Sequence, residues 1–159
     1  MLLDNFEQEI TAGAKCVFAN KRSGSPTSLE ICTVDSITDK GTIKLIMADG
    51  TKHMTSKNES LCIVDVIDKQ PEVGDYVIAA IQLLRNQYMP YLYQVVKLTP
   101  KKVTIRRLVD AFVMSEYESV TLERVHCISE QTMHKLKALS EAQAEYNKEE
   151  ARKLFDDVE

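Results

Sequence analysis

Apolar positions in this chain fall into short runs that recur in the same order twice, over residues 13–67 and 74–125, displaced by roughly sixty positions. Self-similarity of this kind settles an architecture before any single element does. The first copy opens with Gly13-Ala14-Lys15-Cys16-Val17-Phe18-Ala19 and the second with Gly74-Asp75-Tyr76-Val77-Ile78-Ala79, each a glycine followed by an alternating apolar strand. Val34-Asp35-Ser36-Ile37-Thr38-Asp39-Lys40 then matches Val95-Val96-Lys97-Leu98-Thr99-Pro100-Lys101, where apolar residues precede a tight turn ending in lysine. The last match sets Glu59-Ser60-Leu61-Cys62-Ile63 against Glu118-Ser119-Val120-Thr121-Leu122, by two-residue alternation.

Punctuation between the runs predicts the elements. Asp4-Asn5-Phe6-Glu7 has the spacing of a helix cap with a reciprocating carboxylate, and Gly13 closes the segment, so a short helix is expected over residues 4–11. Strands are expected at 15–19, 30–37, 42–47, 51–55 and 61–67 in the first copy, and at 75–83, 91–99, 102–109, 111–115 and 120–125 in the second. Asp49-Gly50 supplies the positive φ of a tight hairpin. Gln70-Pro71-Glu72 reads as a linker, because proline cannot donate to a ladder. From Ser129 onward Met133, Leu136, Leu139, Gln143, Tyr146, Glu150 and Leu154 recur at steps of three or four, the mark of one long helix. Gln143 and Glu150 break the apolar stripe, so this helix is expected over a barrel or its open edge, and it also suits dimerisation or partner docking. The chain therefore divides into an N-terminal helix over 1–12, barrels over 13–68 and 73–127, and a C-terminal helix over 129–157.

With 159 residues and 44% apolar content, the chain can bury one ordinary core or two small ones. No apolar run approaches the roughly 20 residues that span a bilayer, and Met1-Leu2-Leu3-Asp4 lacks the features of a signal peptide, so a cytoplasmic protein without a membrane partner is expected. Cysteines 16, 32, 62 and 127 are then expected as reduced thiols. The net charge of −4 is unevenly spread: residues 1–68 carry seven Lys/Arg against ten Asp/Glu, residues 69–128 eight against six, and residues 129–159 five against eight. Only the second copy is basic.

Motifs of catalysis are missing. There is no Walker glycine loop, no Gly-x-Ser-x-Gly elbow, no dinucleotide Gly-x-Gly-x-x-Gly and no His-Glu-x-x-His, so neither an enzyme nor a cofactor is expected. His126, Cys127 and His134 lack the Cys-x-x-Cys pair that anchors a structural zinc, so no metal is expected, and a Cys127–His134 nucleophile pair would need an accident of folding.

Two units of about 55 residues with five short strands each point to small, strongly bent SH3-like barrels, a mainly β fold. Gly74-Asp75-Tyr76-Val77-Ile78, Tyr93-Gln94-Val95-Val96-Lys97-Leu98-Thr99 and Lys102-Val103-Thr104-Ile105 resemble the Tudor and KOW branch of that fold. Gly13-Ala14-Lys15-Cys16-Val17, Val34-Asp35-Ser36-Ile37 and Gly41-Thr42-Ile43 follow it more loosely, and Pro90-Tyr91-Leu92 stands where the KOW pattern usually has a glycine. The resemblance implies a non-catalytic module that binds nucleic acid, ribosomal or polymerase surfaces, or modified side chains. A tandem pair of this kind is also similar to small phage-encoded accessory proteins that modulate transcription.

Lys97, Lys101, Lys102, Arg106 and Arg107 lie on one predicted hairpin, beside Tyr88, Tyr91 and Tyr93. These are the ingredients of phosphate contact and base stacking, and Lys21 and Arg22 in the first copy's loop at residues 20–26 can add to them. Alternation sends Arg106 and Arg107 to opposite faces, and a solvated hairpin with edge lysines uses the same residues. The rings Tyr76, Tyr88, Tyr91, Tyr93, Phe112 and Tyr117 belong to the second copy, against Phe18 in the first. A cage for methylated lysine or arginine would need several of them on one surface, whereas Tyr91 and Tyr93 share a strand face, and one face of a barrel is inside. Two functions are expected: a regulator bound to DNA or RNA through the second barrel, or an adaptor or inhibitor docking a host or partner protein through barrel edges and the C-terminal helix.

Overall fold

The structure is a computed structural model that describes residues 2–21, 27–84, 87–109 and 116–156, with the side chains of residues 20, 21, 27, 81–84, 87, 88, 155 and 156 outside the description. Two five-stranded antiparallel sheets and one helix make up the described fold. The first sheet holds β1 (Lys15–Lys21), β2 (Thr27–Ile37), β3 (Ile43–Met47), β4 (Lys52–Thr55) and β5 (Leu61–Ile63), in the order β4-β3-β2-β1-β5. The second holds β6 (Tyr76–Leu84), β7 (Gln87–Leu98), β8 (Lys102–Arg107), β9 (Tyr117–Thr121) and β10 (Val125–Cys127), in the order β10-β6-β7-β8-β9. Read from the opposite edge, the second order is the first one repeated. Helix α1 spans Glu130–Asp156.

The repetition extends to single hydrogen bonds. Gly13 and Gly74 both take positive φ (85° and 94°) and donate their N–H groups to Val34 and Val95 carbonyls at 2.7 and 2.8 Å. Each glycine thus turns the chain into its first strand without the Cβ clash another residue would meet. Both long strands shift register at the same place, between Val34 and Ser36 and between Val95 and Lys97. Such bulges sharpen the bend that wraps a short sheet round its own core. Thr38 and Thr99 hydroxyls close the following turns by accepting from the Thr42 and Lys102 N–H groups.

Two expectations change, and a third is not reached. Residues 4–11 form no helix: the buried Asp4 carboxylate accepts from the N–H groups of Phe6, Gln8 and Ile63 and from Gln8 Nε2, at 2.7–2.9 Å, and Leu3 bridges back to Glu9. The capping residue is used, but Glu7 at φ 61° reverses the chain, and a pairing with β5 replaces the helical turn. The last repeat match also moves. Asn58–Ser60 is a 3-10 turn leading into β5, and its counterpart is the 3-10 turn Leu122–Arg124 leading into β10, not residues 118–122. Alternation alone cannot distinguish two neighbouring edge strands. The strand expected at 111–115 lies outside the described residues, and the strand found next is β9.

Three apolar layers hold the fold. Cys16, Phe18, Cys32, Val34, Ile43, Leu45 and Leu61 fill the first sheet's concave side. Val77, Ala79, Tyr93, Val95, Val103, Ile105, Val120 and Val125 fill the second's. The third layer joins Val17, Ala19 and Leu29 from the outer face of one sheet to Ile78, Ala80 and Leu92 from the outer face of the other. Cys16–Ala19 and Val77–Ala80 are therefore continuous apolar runs buried on both faces, rather than the half-buried alternating strands expected. Each such side chain contributes about 1.5–3 kcal/mol of burial.

Helix α1 closes the joint layer with Met133 and Leu136, with Leu139 partly buried beside them. Ser129 caps it, its Oγ accepting from the Thr132 N–H at 3.1 Å. Past the first three turns the stripe opens to solvent, and Tyr146 and Leu154 are 62% and 69% exposed. None of the described helices is long and apolar enough to cross a membrane.

Candidate nucleic-acid interface

Pairing registers place the outer side chains of β7, β8 and β9 in rows. Gln94, Arg106 and Tyr117 form one row, and Lys97, Thr104 and Ser119 the next. Lys102 and Thr121 form a third, with Lys101 in the adjoining turn. Successive rows lie two residues, about 6.6–6.8 Å, apart. The register shift in β7 is decisive, because it returns Leu98 to the core side and so turns Lys97 outward beside Thr104.

Lys97, Lys101 and Lys102 are exposed, and none of them forms an ion pair with a described residue. Arg106 is half-buried and donates from its guanidinium to Gln94 Oε1 at 3.4 Å, while Gln94 Nε2 donates to the Gly74 carbonyl at 3.2 Å. That relay links the guanidinium to the glycine that enters β6. Glu123, which accepts from the Thr121 hydroxyl at 3.4 Å, marks an acidic boundary at one end of the face.

Other members of the sequence-derived set lie elsewhere. Arg107 occupies the opposite face of β8, beside Tyr93 and Glu118. Tyr93 is 0% exposed within the second sheet's core, so it cannot stack on a ligand, and this corrects its expected place on the surface. Burial first, then the charge of Glu118 and neighbouring Tyr91, push its phenol up, while Arg107 opposes them. Its hydroxyl has no hydrogen-bond partner among the described residues. Tyr91 is partly buried against the same core, and burial pushes its phenol up likewise. The side chains of Tyr88 and Lys21, and the whole of Arg22, lie outside the described residues.

Sequence reasoning counts Tyr117 among the second copy's rings but leaves it out of the binding set, whereas it is 52% exposed at the start of β9 and belongs to none of the three apolar layers. The signal available was its flanks: Glu116 and Glu118 on either side of a ring suit an edge strand better than a core one.

The histidine and cysteine pairings do not form. His126 Nε2 donates to the Leu29 carbonyl at 2.6 Å, tying β10 to the first sheet. His134 faces Glu130 at 3.5 Å on α1, and Cys127 Sγ lies 3.9 Å from Asp75 Oδ2. Asp75 instead ties down the inter-sheet segment, pairing with Lys69 Nζ at 2.9 Å and accepting from the Glu72 N–H at 2.8 Å. Desolvation would raise its carboxyl, but these bonds outweigh it and hold the group below its ordinary value.

Two barrel-like sheets of one topology, a shared layer and one cationic outer face make this a tandem SH3-like protein. No family model matches the chain, and no curated protein is significantly similar to it. Among solved structures it is similar to tandem Agenet domain 3-4 of ADCP1, with 12% identity over 77% of this chain and 83% of that one and a TM-score of 0.34. It is also similar to the SAWADEE domain of Arabidopsis thaliana SHH1 in a selenium-substituted mutant form, with 14% identity over 76% of this chain and 100% of that one and a TM-score of 0.33. A third likeness is to AGD34 of Arabidopsis thaliana AGDP1, with 12% identity over 75% and 82% of the two chains and a TM-score of 0.35. Likeness at this level carries neither ligand nor mechanism to this chain, and none of these comparisons supports the resemblance to phage accessory proteins.

Proposed function

We propose that the protein is a non-catalytic binding module that contacts the phosphate backbone of nucleic acid through the outer face of β7, β8 and β9. One observation carries this reading: Lys97, Lys102 and Arg106 share a solvent-facing surface with Thr104, Ser119 and Tyr117, within a chain that is acidic as a whole. Cations gathered on one face against an opposing net charge create a local field that attracts polyanions and is steeply weakened by salt. The four free, buried cysteines suit action in a reducing compartment such as the cytosol.

The test is fluorescence anisotropy of labelled DNA and RNA with the full chain, between about 50 and 200 mM salt. Saturable binding is expected, its log affinity falling linearly with log salt at a slope near −2 to −3, about 0.7–0.9 for each of the three cations. Absence of binding at the lowest salt overturns the reading.

The exposed stripe of α1 favours a second reading, docking of a partner protein. Tyr146 and Leu154 are open, and a groove of about 440 Å³ runs between Leu108, Val109 and the α1 residues Lys137, Glu141, Ala144, Glu145 and Lys148. If nucleic acid does not bind, a pull-down with α1 intact against one lacking its second half tests this alternative.

A further inference from the structure

We propose that the face selects single-stranded over duplex nucleic acid, with Tyr117 as the stacking platform for one unpaired base. This deepens the nucleic-acid reading and rests on it. The register sets Tyr117 directly opposite Arg106, which places a half-exposed ring beside a guanidinium already aligned by Gln94. Directly opposed residues on one face of an antiparallel pair have Cβ atoms about 4.5–5.5 Å apart, so the ring and the guanidinium are neighbours on one outer surface. Such a surface takes the π-face of any base without regard to sequence.

The rows beside it supply the rest of the contact. Moving along β8 from Arg106 towards Lys102, the face passes from planar groups to the hydroxyls of Thr104 and Ser119 and then to the ammonium groups of Lys97 and Lys102. A strand laid this way stacks a base at one end and sets its phosphates over hydroxyls and lysines at the other. Glu123 beyond Thr121 and exposed Glu116 before Tyr117 bound the path, which limits it to a few nucleotides.

A duplex is served poorly by the same surface. Its bases are stacked on one another and offer Tyr117 nothing, while a short sheet face with three or four cations reaches few phosphates of a curved double helix. The second half of α1 is exposed over residues 144–154 and acidic, Glu145, Glu149, Glu150 and Asp156 outnumbering Lys148, Arg152 and Lys153. It cannot enter a groove lined by phosphates.

The experiment uses the full chain with labelled oligonucleotides of about 12 units, single-stranded DNA, single-stranded RNA and a DNA duplex of the same sequence, at low salt. Wild type is expected to prefer a single strand by at least about tenfold. Tyr117→Ala should lose roughly tenfold for the single strand and less than about twofold for the duplex, while Tyr117→Phe stays within about twofold of wild type. The DNA and RNA arms identify which single strand is preferred, a preference for RNA pointing to 2′-hydroxyl contact. Equal or tighter duplex binding, or a Tyr117→Ala variant that melts like wild type and loses no single-strand affinity, overturns the inference and leaves the nucleic-acid reading standing. Failure of wild type to bind any of the three overturns both.

Discussion

The two sheets share an order, a bulge, a glycine entry and a threonine-closed turn, yet their free outer faces differ. In the first sheet the face of β2, β3 and β4 carries Thr33, Ser36, Lys44, Ile46, Lys52 and Met54, with Met54 64% exposed. In the second the matching face carries Gln94, Lys97, Lys102, Thr104, Arg106, Tyr117 and Ser119. Repetition therefore accounts for the scaffold, and the outward positions, which the scaffold leaves unconstrained, account for the difference in chemistry. The inner halves of both outer faces are equivalent again, because they pack on one another in the joint layer.

The largest expected effect concerns that layer. Leu92 is buried between the sheets, and Leu92→Ala should cost about 2–5 kcal/mol in urea unfolding. If the two sheets fold as one unit, the variant and the wild type each melt in a single transition by far- and near-ultraviolet circular dichroism. A second transition left unchanged by the substitution would show that the halves fold separately.

Charge reversal sharpens the contrast between the free faces. Lys102→Glu with Arg106→Glu is expected to weaken nucleic-acid binding at least about tenfold and flatten the salt slope, whereas Lys44→Glu with Lys52→Glu changes affinity less than about threefold. Equal losses from the two pairs would mean that the chain's general charge, rather than the second face, governs binding.

The smallest effect belongs to Asp75, which has no acidic counterpart at Ala14. Its carboxyl is lowered in the folded state, so its contribution is present above the ordinary carboxylate value near 3.9 and is lost as pH falls through the folded value. Because the group is partly exposed, Asp75→Asn should cost about 1 kcal/mol or less at neutral pH, and wild type and variant should converge as pH falls through the lowered value. A difference that persists in acid would mean that the amide fails for another reason than charge.

Much of the fold was legible because it depends on residues with few conformational alternatives. Gly13 and Gly74 demand a turn, Asp49-Gly50 closes the β3–β4 hairpin with φ 87° at Gly50, and the α1 stripe ends its apolar half where burial ends. The N-terminal segment was misread because Asp4 caps a helix and closes a loop with the same atoms, and only the distant Ile63 N–H decides between them. Tyr91 and Tyr93 looked like surface rings among cations, but the pleat turns both onto the core side. Tyr117 was left out of the binding set because its exposure depends on β9 being an edge strand, a fact of strand order.

By itself, the order of apolar runs and turn residues determined that the chain is a repeated small β unit followed by a helix, since periodicity and turn chemistry are local. Only the tertiary structure decided that the two units bury part of their outer faces against each other, and that Lys97, Lys102 and Arg106 gather on the part of the second that stays free. Strand alternation assigns a residue to one of two faces, but which face meets solvent is settled by what packs against it from elsewhere in the chain.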